Sequence, residues 1–388
     1  MTVLFLLHSF IAVEAQNISV VQKHSSGNLI KIDLYEAYKN AQTYPLSTIA
    51  ESIEYLPLET TNTCLLNSTY INDITITSED IIVSVYEDKC YRFSRQGKFL
   101  NVIGSIGKGP KEFTKLRSSV VDTINRWVYT VDWDKLMKYD FEGNFLEKYK
   151  VEKNSLGMLN VMLQPGQILM GNGSYQYVKA GERYSGYVFS DKNKNHISKI
   201  ACEKKDKIPF CVCYPSMYNF KKETYFSDYW CDTIYKVKNP NTLEAYAVLN
   251  KGNFEYRSTE DKSMKGGKNT GEGNIIGVSR MAESQRFIFV VSDKGTYIFD
   301  KKENKTLCGN WIEKPNIWVN FENDITSVPF RILNNAPNTI QNGKLISFND
   351  AYQFFEDEAD TNNPKIKKLL QTLQPDDNPV LVFVELKE

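Results

Sequence analysis

The chain has 388 residues, 47 basic against 47 acidic side chains, and an unusual aromatic content of 23 Tyr and 21 Phe. Balanced charge supplies no field for a phosphate backbone or an anionic bilayer surface, so nucleic-acid partners are disfavoured. Three histidines and seven scattered cysteines give neither a histidine-rich metal centre nor the framework of a small disulfide-stapled domain.

Residues 1–15, MTVLFLLHSFIAVEA, carry an apolar run and a small-residue site, Val13-Glu14-Ala15, before Gln16. They read as a secretory signal peptide that lacks the usual basic start. No cysteine follows the cleavage point, so no lipid anchor is expected, and no later run approaches the roughly 18 apolar residues of a membrane helix. Residues 16–50 form a polar N-terminal arm of weak periodicity. Ile53 to Leu58 then alternates and breaks at Pro57, which marks an edge strand whose partner lies elsewhere in the chain.

From Thr69 the pattern becomes regular. Strands are expected at Tyr70–Thr77, Ile81–Val85, Lys89–Ser94 and Lys98–Ile103, each break having turn chemistry such as Arg95-Gln96-Gly97. Phe93, Gly97, Phe99 and Leu100 recur as Tyr139, Gly143, Phe145 and Leu146, a shift of 46 residues. Such repetition marks radial or stacked units, and four short strands per unit make a propeller blade. The third-strand anchor continues through Phe189, Val237 and Phe299, so the successive spacings are 46, 50, 48 and 62. The long last interval contains Lys251 to Gly273, a polar, glycine-rich insertion that is either functional or disordered. A sixth unit draws on Ser327–Leu333, Lys344–Asn349 and Val380–Leu386, with a helical insertion at Pro364–Leu370. Its missing fourth strand is supplied by Ile53–Leu58, which closes the ring. The expected fold is therefore all-β, a six-bladed β-propeller of four-stranded antiparallel blades over residues 51–388.

Three segments resemble the NHL-like six-bladed propellers of exported proteins from Bacteroidetes-type bacteria: Ile53 to Thr60 (IEYLPLET), Gly104 to Phe113 (GSIGKGPKEF) and Asp376 to Val384 (DDNPVLVFV). The resemblance spans nearly all of the chain after residue 15. It implies an exported propeller without an assigned activity, often lipid-anchored; lacking the lipidation cysteine, this chain is expected as a soluble periplasmic form.

Strand direction gathers the interblade crossings and the second-to-third turns on one face. There Tyr86, Trp133, Tyr229 and Trp230 can stack on sugar rings or grip a peptide, and Lys108, Lys111, Glu112, Arg117 and Asp134 border the same face with charged groups. Acidic turn residues also bond their own backbone, which is the plainer reading of Asp134. The glycine run Gly104 to Gly109 lacks a P-loop ending and a following helix, so it reads as a close crossing rather than a phosphate cradle. Cys211 and Cys213 share a strand face near Cys231; a disulfide fits there, but the ligand spacing of structural zinc does not. No nucleophile elbow occurs. The preferred function is a non-enzymatic binding or scaffolding propeller for a glycan, peptide or envelope protein, without a cofactor. The alternative is a lactonase- or lyase-like enzyme using calcium or an acid–base pair, its oxygen ligands drawn from Glu112, Asn160, Asn274 and Asp324 at inner-strand starts.

Overall fold

The computed structural model describes residues 19–25, 27–132, 135–151, 159–172, 184–201, 214–229, 231–252, 277–292, 294–314, 317–332, 339–356 and 362–388. Six antiparallel sheets follow one another in chain order. Blade 1 is Ile71–Ile76, Asp80–Val85, Cys90–Ser94 and Phe99–Ile103. Blade 2 is Ser118–Asp122, Trp127–Asp132, Lys135–Asp140 and Phe145–Lys150. Blade 3 is Leu159–Gln164, Gln167–Gly171, Tyr184–Ser190 and Asn195–Ala201. Blade 4 is Ser216–Phe220, Glu223–Ser227, Thr233–Asn239 and Thr242–Asn250. Blade 5 is Val278–Glu283, Phe287–Ser292, Gly295–Asp300 and Lys305–Gly309. Blade 6 joins Ile340–Gln341, Lys344–Asn349 and Val380–Leu386 to the N-terminal strand Ala50–Pro57, which pairs antiparallel with Val380–Leu386. This is the six-bladed propeller expected from the repeats, closed by the strand expected to close it.

Each blade is apolar on both faces because each packs between two others. One buried cluster fills every seam around the ring: Cys90 and Ile82 meet Phe113 and Tyr139 between blades 1 and 2, and Leu381 and Phe383 meet Ile74 and Phe93 between blades 6 and 1. The third-strand anchors Phe93, Tyr139, Phe189, Val237 and Phe299 are all buried. Gly97 and Gly143 are the paired turn glycines of the repeat, with φ of 82° and 88°. A Cβ on Gly97 would fall 2.2 Å from the Pro57 carbonyl oxygen, and one on Gly143 2.6 Å from that of Val102. Both turns press against the outer strand of the preceding blade, so both the left-handed backbone and the missing side chain are required.

Two parts of the fold depart from the sequence reading. Ser327–Leu333, expected as the inner strand of blade 6, is not a strand over its described residues 327–332; the inner position is taken by Ile340–Gln341. Pro329 has no N–H to give a ladder, and side chains of the second strand take the segment's carbonyls instead. Asn349 Nδ2 donates to Pro329 O (2.6 Å) and Ser347 Oγ to Arg331 O (2.7 Å). The arm, which reads as polar and aperiodic, is structured as a belt. Ser19–Val20 adds in parallel to the outer strand of blade 3, and Gln22–His24 and Ile30–Asp33 add to that of blade 4. A short helix, α1 (Leu34–Lys39), is capped by Asp33, whose carboxylate accepts from Glu36 N (2.9 Å), and buries Leu34 and Ala37 in the seam between blades 4 and 5. Bridges from Gln42 to Gly309 and from Pro45 to Glu322 carry the belt on to blade 6.

The insertion in blade 6 folds as α2 (Pro364–Leu369), with Asn363 as its N-cap and Ile366 and Leu369 buried beside Phe354. Cys64, Cys90 and Cys308 are buried thiols. Cys211 and Cys213 lie outside the described residues, as does the Lys251 to Gly273 insertion beyond Gly252. Among the described residues no helix is long and apolar enough to cross a membrane.

Candidate functional site

Antiparallel strands reverse direction at every turn, so each blade sends its first turn to one face and its second turn and crossing to the other. We call these the lower and upper faces. The described residues among those predicted from sequence belong to the upper face.

There, Tyr86 and Arg117 lie on adjoining loops at the seam of blades 1 and 2. Tyr86 N donates to Tyr70 O (2.7 Å), its ring lies 6.2 Å from that of Tyr70, and the next residue, Glu87, donates its N–H to Leu116 O (2.6 Å). Arg117 N donates to Val131 O (2.9 Å), and its carbonyl accepts from Asn72 Nδ2 (2.9 Å). Lys108 and Lys111 are exposed on the adjoining crossing, and Lys111 O accepts from the buried Tyr139 hydroxyl (2.9 Å). Glu112 turns back into its own loop, where Oε2 accepts from Gly109 N (2.8 Å), so the glycine run is a self-braced crossing. Tyr229 lies across the ring against Gly277, where an added Cβ would be 2.1 Å from its hydroxyl oxygen. Trp133, Asp134 and Trp230 lie outside the described residues. The structure thus puts Tyr86 and Arg117 on adjoining loops beside the lysine-bearing crossing and Tyr229 on blade 4. It adds Lys115, which pairs with Glu87 (2.9 Å) and holds that carboxyl below its usual range. No sequence motif marks that pair.

The oxygen ligands of the enzymatic alternative go to separate places. Glu112 is occupied as described, Asn160 Nδ2 donates to Ser118 Oγ (2.6 Å), and Asp324 accepts from Ser47 N (2.9 Å) and Ser47 Oγ (2.5 Å), tying the belt down. Asn274 lies outside the described residues. Among the described residues no three His, Cys, Asp or Glu side chains cluster as metal ligands.

The lower face holds a funnel on the propeller axis with a volume of about 710 Å³, lined by the first turns of blades 2 to 6 and by Thr75 and Ile76 at the end of the inner strand of blade 1. That size is in the range of small-ligand sites. Its wall is tied blade to blade. Gln341 of blade 6 donates from Nε2 to Ile74 O (2.7 Å) and accepts from Ile76 N (2.7 Å), both on blade 1. Asp122 of blade 2 accepts from Gly166 N of blade 3 (2.9 Å), and Asn219 of blade 4 donates to Met162 O of blade 3 (3.0 Å). Glu283 of blade 5, fully buried, accepts from Tyr218 OH (2.8 Å) and Tyr246 OH (2.8 Å) of blade 4 and from Lys301 Nζ (2.9 Å). Burial and that carboxylate together push the Tyr218 phenol well above its ordinary pKa, so it stays a donor. Aliphatic side chains, Ile76, Val121 and Met162 among them, alternate with polar groups along the lining. Sequence inspection missed this site because its lining is drawn from all six blades, five of which supply only two to four residues each.

Fold and funnel together define a six-bladed propeller with a pre-formed axial cavity on the face of its first turns. The chain belongs to the family described as Domain of unknown function (DUF4934), whose model matches residues 29–385. It is similar in structure to a protein of Bacteroides fragilis NCTC 9343 described as exported: 18% identity, 93% of this chain and 100% of that one covered, TM-score 0.68. It is also similar to a member of the DUF4221 family from Bacteroides vulgatus ATCC 8482, with 11% identity, 87% and 97% coverage and a TM-score of 0.50. At these identities the likeness concerns the fold. No curated protein matches the chain.

Proposed function

We propose that the protein is an exported, non-enzymatic binding propeller that seats a glycan or peptide in the lower axial funnel. The carrying observation is the funnel itself: a cavity of about 710 Å³ whose wall is cross-braced by side chains from successive blades. A cavity fixed before the ligand arrives loses little freedom on binding, which favours recognition over induced assembly of a catalytic site. The mixed aliphatic and amide lining suits a ligand with alternating apolar and hydrogen-bonding surfaces. Export is supported by the apolar N-terminal segment and by the description of the Bacteroides fragilis protein. The kinship to NHL-like propellers and a soluble periplasmic location are part of the same proposal. The upper-face group of Tyr86, Lys108, Lys111 and Arg117 is then the surface for an envelope protein.

The test is a screen of the purified chain against a glycan array and a peptide library, run in parallel with Gln164→Trp. Gln164 is exposed at the funnel mouth, so an indole there obstructs the cavity without disturbing a seam. Ligands bound by the native chain and lost in the variant support the reading. Ligands bound equally by both place recognition elsewhere, and an empty screen removes the binding role.

A further inference from the structure

The funnel wall contains two hairpin turns of the same length that differ sharply in chemistry. In blade 6 the pair Gln341–Lys344 leaves Asn342 and Gly343 as a two-residue loop; in blade 4 the pair Phe220–Glu223 leaves Lys221 and Lys222. Both loops have positive φ at both central residues: 52° and 78° at Asn342 and Gly343, 48° and 64° at Lys221 and Lys222. Asn-Gly is the dipeptide this geometry favours, because glycine carries no penalty there and asparagine a small one. Two lysines in succession are not. Among the described residues, Lys221 and Lys222 are the only consecutive non-glycine pair with positive φ. The observed backbone outlier is where a functional constraint should be sought.

Both lysines are exposed on the funnel lining. Lys221 Nζ lies 5.3 Å from the centre of the Phe220 ring, and neither ammonium pairs with a carboxylate. The acids nearest the axis are already used. Asp122 accepts from Ile124 N, Asn125 N, Asn125 Nδ2 and Gly166 N, and Glu283 is saturated by two phenols and Lys301. Lys387 and Glu388, on the blade 6 side, add one side-chain charge of each sign, and Lys387 donates to Ser47 O. The lining lysines and acids are equal in number, but the two acids nearest these turns are buried, and the exposed cations gather at the strained turn. Around it Gln164, Gln285 and Asn342 present carboxamides that make no side-chain hydrogen bond within the protein. Each can both donate and accept, the pairing that a sugar hydroxyl requires.

We infer that the funnel takes an anionic oligosaccharide, a sugar acid whose carboxylate is held by Lys221 and Lys222 while its hydroxyls meet the free carboxamides. The inference rests on the binding role proposed above and specifies its ligand. Free carboxamides on three blades around an axis fit a ring bearing hydroxyls on its edge better than an extended peptide, whose main chain seeks a sheet edge.

The probe is trigalacturonate, compared with its methyl ester and with hexaglutamate, by calorimetric titration against the full chain in low and high salt. Trigalacturonate is expected to bind, to weaken as salt rises, and to outbind its ester by about tenfold, since the ester removes the charge from each hydrogen bond. The decisive variant is Lys221→Asn with Lys222→Gly, which copies the blade 6 turn. It should unfold about 3 °C higher, because the strain is gone, and lose about tenfold in affinity for the acid while binding the ester as before. Lys221→Arg with Lys222→Arg should retain the preference. Equal binding of acid and ester, or undiminished affinity in the Asn-Gly variant, overturns the inference and leaves the binding role standing. Hexaglutamate bound in place of trigalacturonate overturns the sugar assignment. Gln164→Trp binding the acid as tightly as the native chain overturns the funnel location itself.

Discussion

The two faces of this propeller are built by different means. On the lower face side chains reach across from blade to blade: Gln341 onto blade 1, Asp122 onto Gly166, Asn219 onto Met162 O, and Tyr218 onto Glu283. On the upper face fewer side chains cross a seam, Asn72 to Arg117 O and Lys115 to Glu87 among them, and the crossing loop braces itself, as Glu112 does to Gly109, or is held by the next blade, as Lys111 O is by Tyr139. The contrast teaches that stability and the pre-formed cavity lie together on the lower face. The upper face is also the side on which blade 6 accommodates its helical insertion, between Lys344–Asn349 and Val380–Leu386.

The most severe way to break this contrast is to remove Glu283. Its carboxylate is buried and receives two tyrosines and a lysine from two blades, so Glu283→Ala leaves two hydroxyls and a cation without their acceptor. Loss of one partner from a buried charged cluster costs about 3 kcal/mol or more. Urea unfolding should show the midpoint falling with an unchanged slope. A loss below about 1 kcal/mol would mean that the lower face is not held by its cross-bracing.

A second experiment sharpens the comparison between blades rather than faces. Asp73, on the inner strand of blade 1, is buried with only Thr75 Oγ1 as a side-chain donor, and burial raises its pKa to about 7. His196, on the outer strand of blade 3, is buried against Tyr187, and burial lowers its pKa to about 4. The signs oppose. Asp73 has a folded pKa above its unfolded value, so its contribution is present below about pH 4 and is lost as pH rises towards 7. His196 has a folded pKa below its unfolded value, so the unfolded chain takes up the proton first and stability is lost as pH falls from about 6.5 to 4. Each effect is on the order of 3 kcal/mol, and over the shared window they offset. The native chain should therefore show a nearly flat stability profile between about pH 4 and 6.5 in these two groups. Asp73→Asn should unmask loss on acidification, and His196→Phe should unmask loss towards neutrality. Thermal unfolding at half-unit pH steps checks both, and parallel profiles in all three proteins would show that neither group is as buried as its packing implies.

What the sequence disclosed follows from how many constraints act on a position. Gly97 and Gly143 were legible because each is fixed twice, by positive φ and by the carbonyl of a neighbouring blade. Phe93 and Tyr139 were legible because seam-filling demands a large apolar group at the same register in each blade. The belt was not, since strands such as Gln22–His24, paired along one edge and largely exposed, put no apolar periodicity into the sequence. The inner strand of blade 6 had a signal that went unused: Asn342-Gly343 is a strong hairpin dipeptide, and it sits between Ile340–Gln341 and Lys344–Asn349. Nothing comparable marked Lys221-Lys222, whose turn contradicts local preference, and the funnel as a whole is assembled from segments of six blades far apart in sequence.

The smallest expected effect belongs to the upper face. Glu87 and Lys115 form an ion pair of 2.9 Å, both groups exposed, and Glu87 sits at a positive φ of 60° in the turn beside Tyr86. Water screens such a pair, and holding two long side chains in one geometry offsets most of what remains. The lysine lowers the pKa of Glu87 and the glutamate raises that of Lys115, yet neither shift has burial behind it. Glu87→Gln should leave the urea midpoint where it was, because the turn is held by its main chain, with Glu87 N on Leu116 O and Asp88 N on Val85 O. A measurable loss would show that this exposed ion pair braces the upper seam as buried side chains brace the lower one. The contrast between the faces would then be one of insertion length alone.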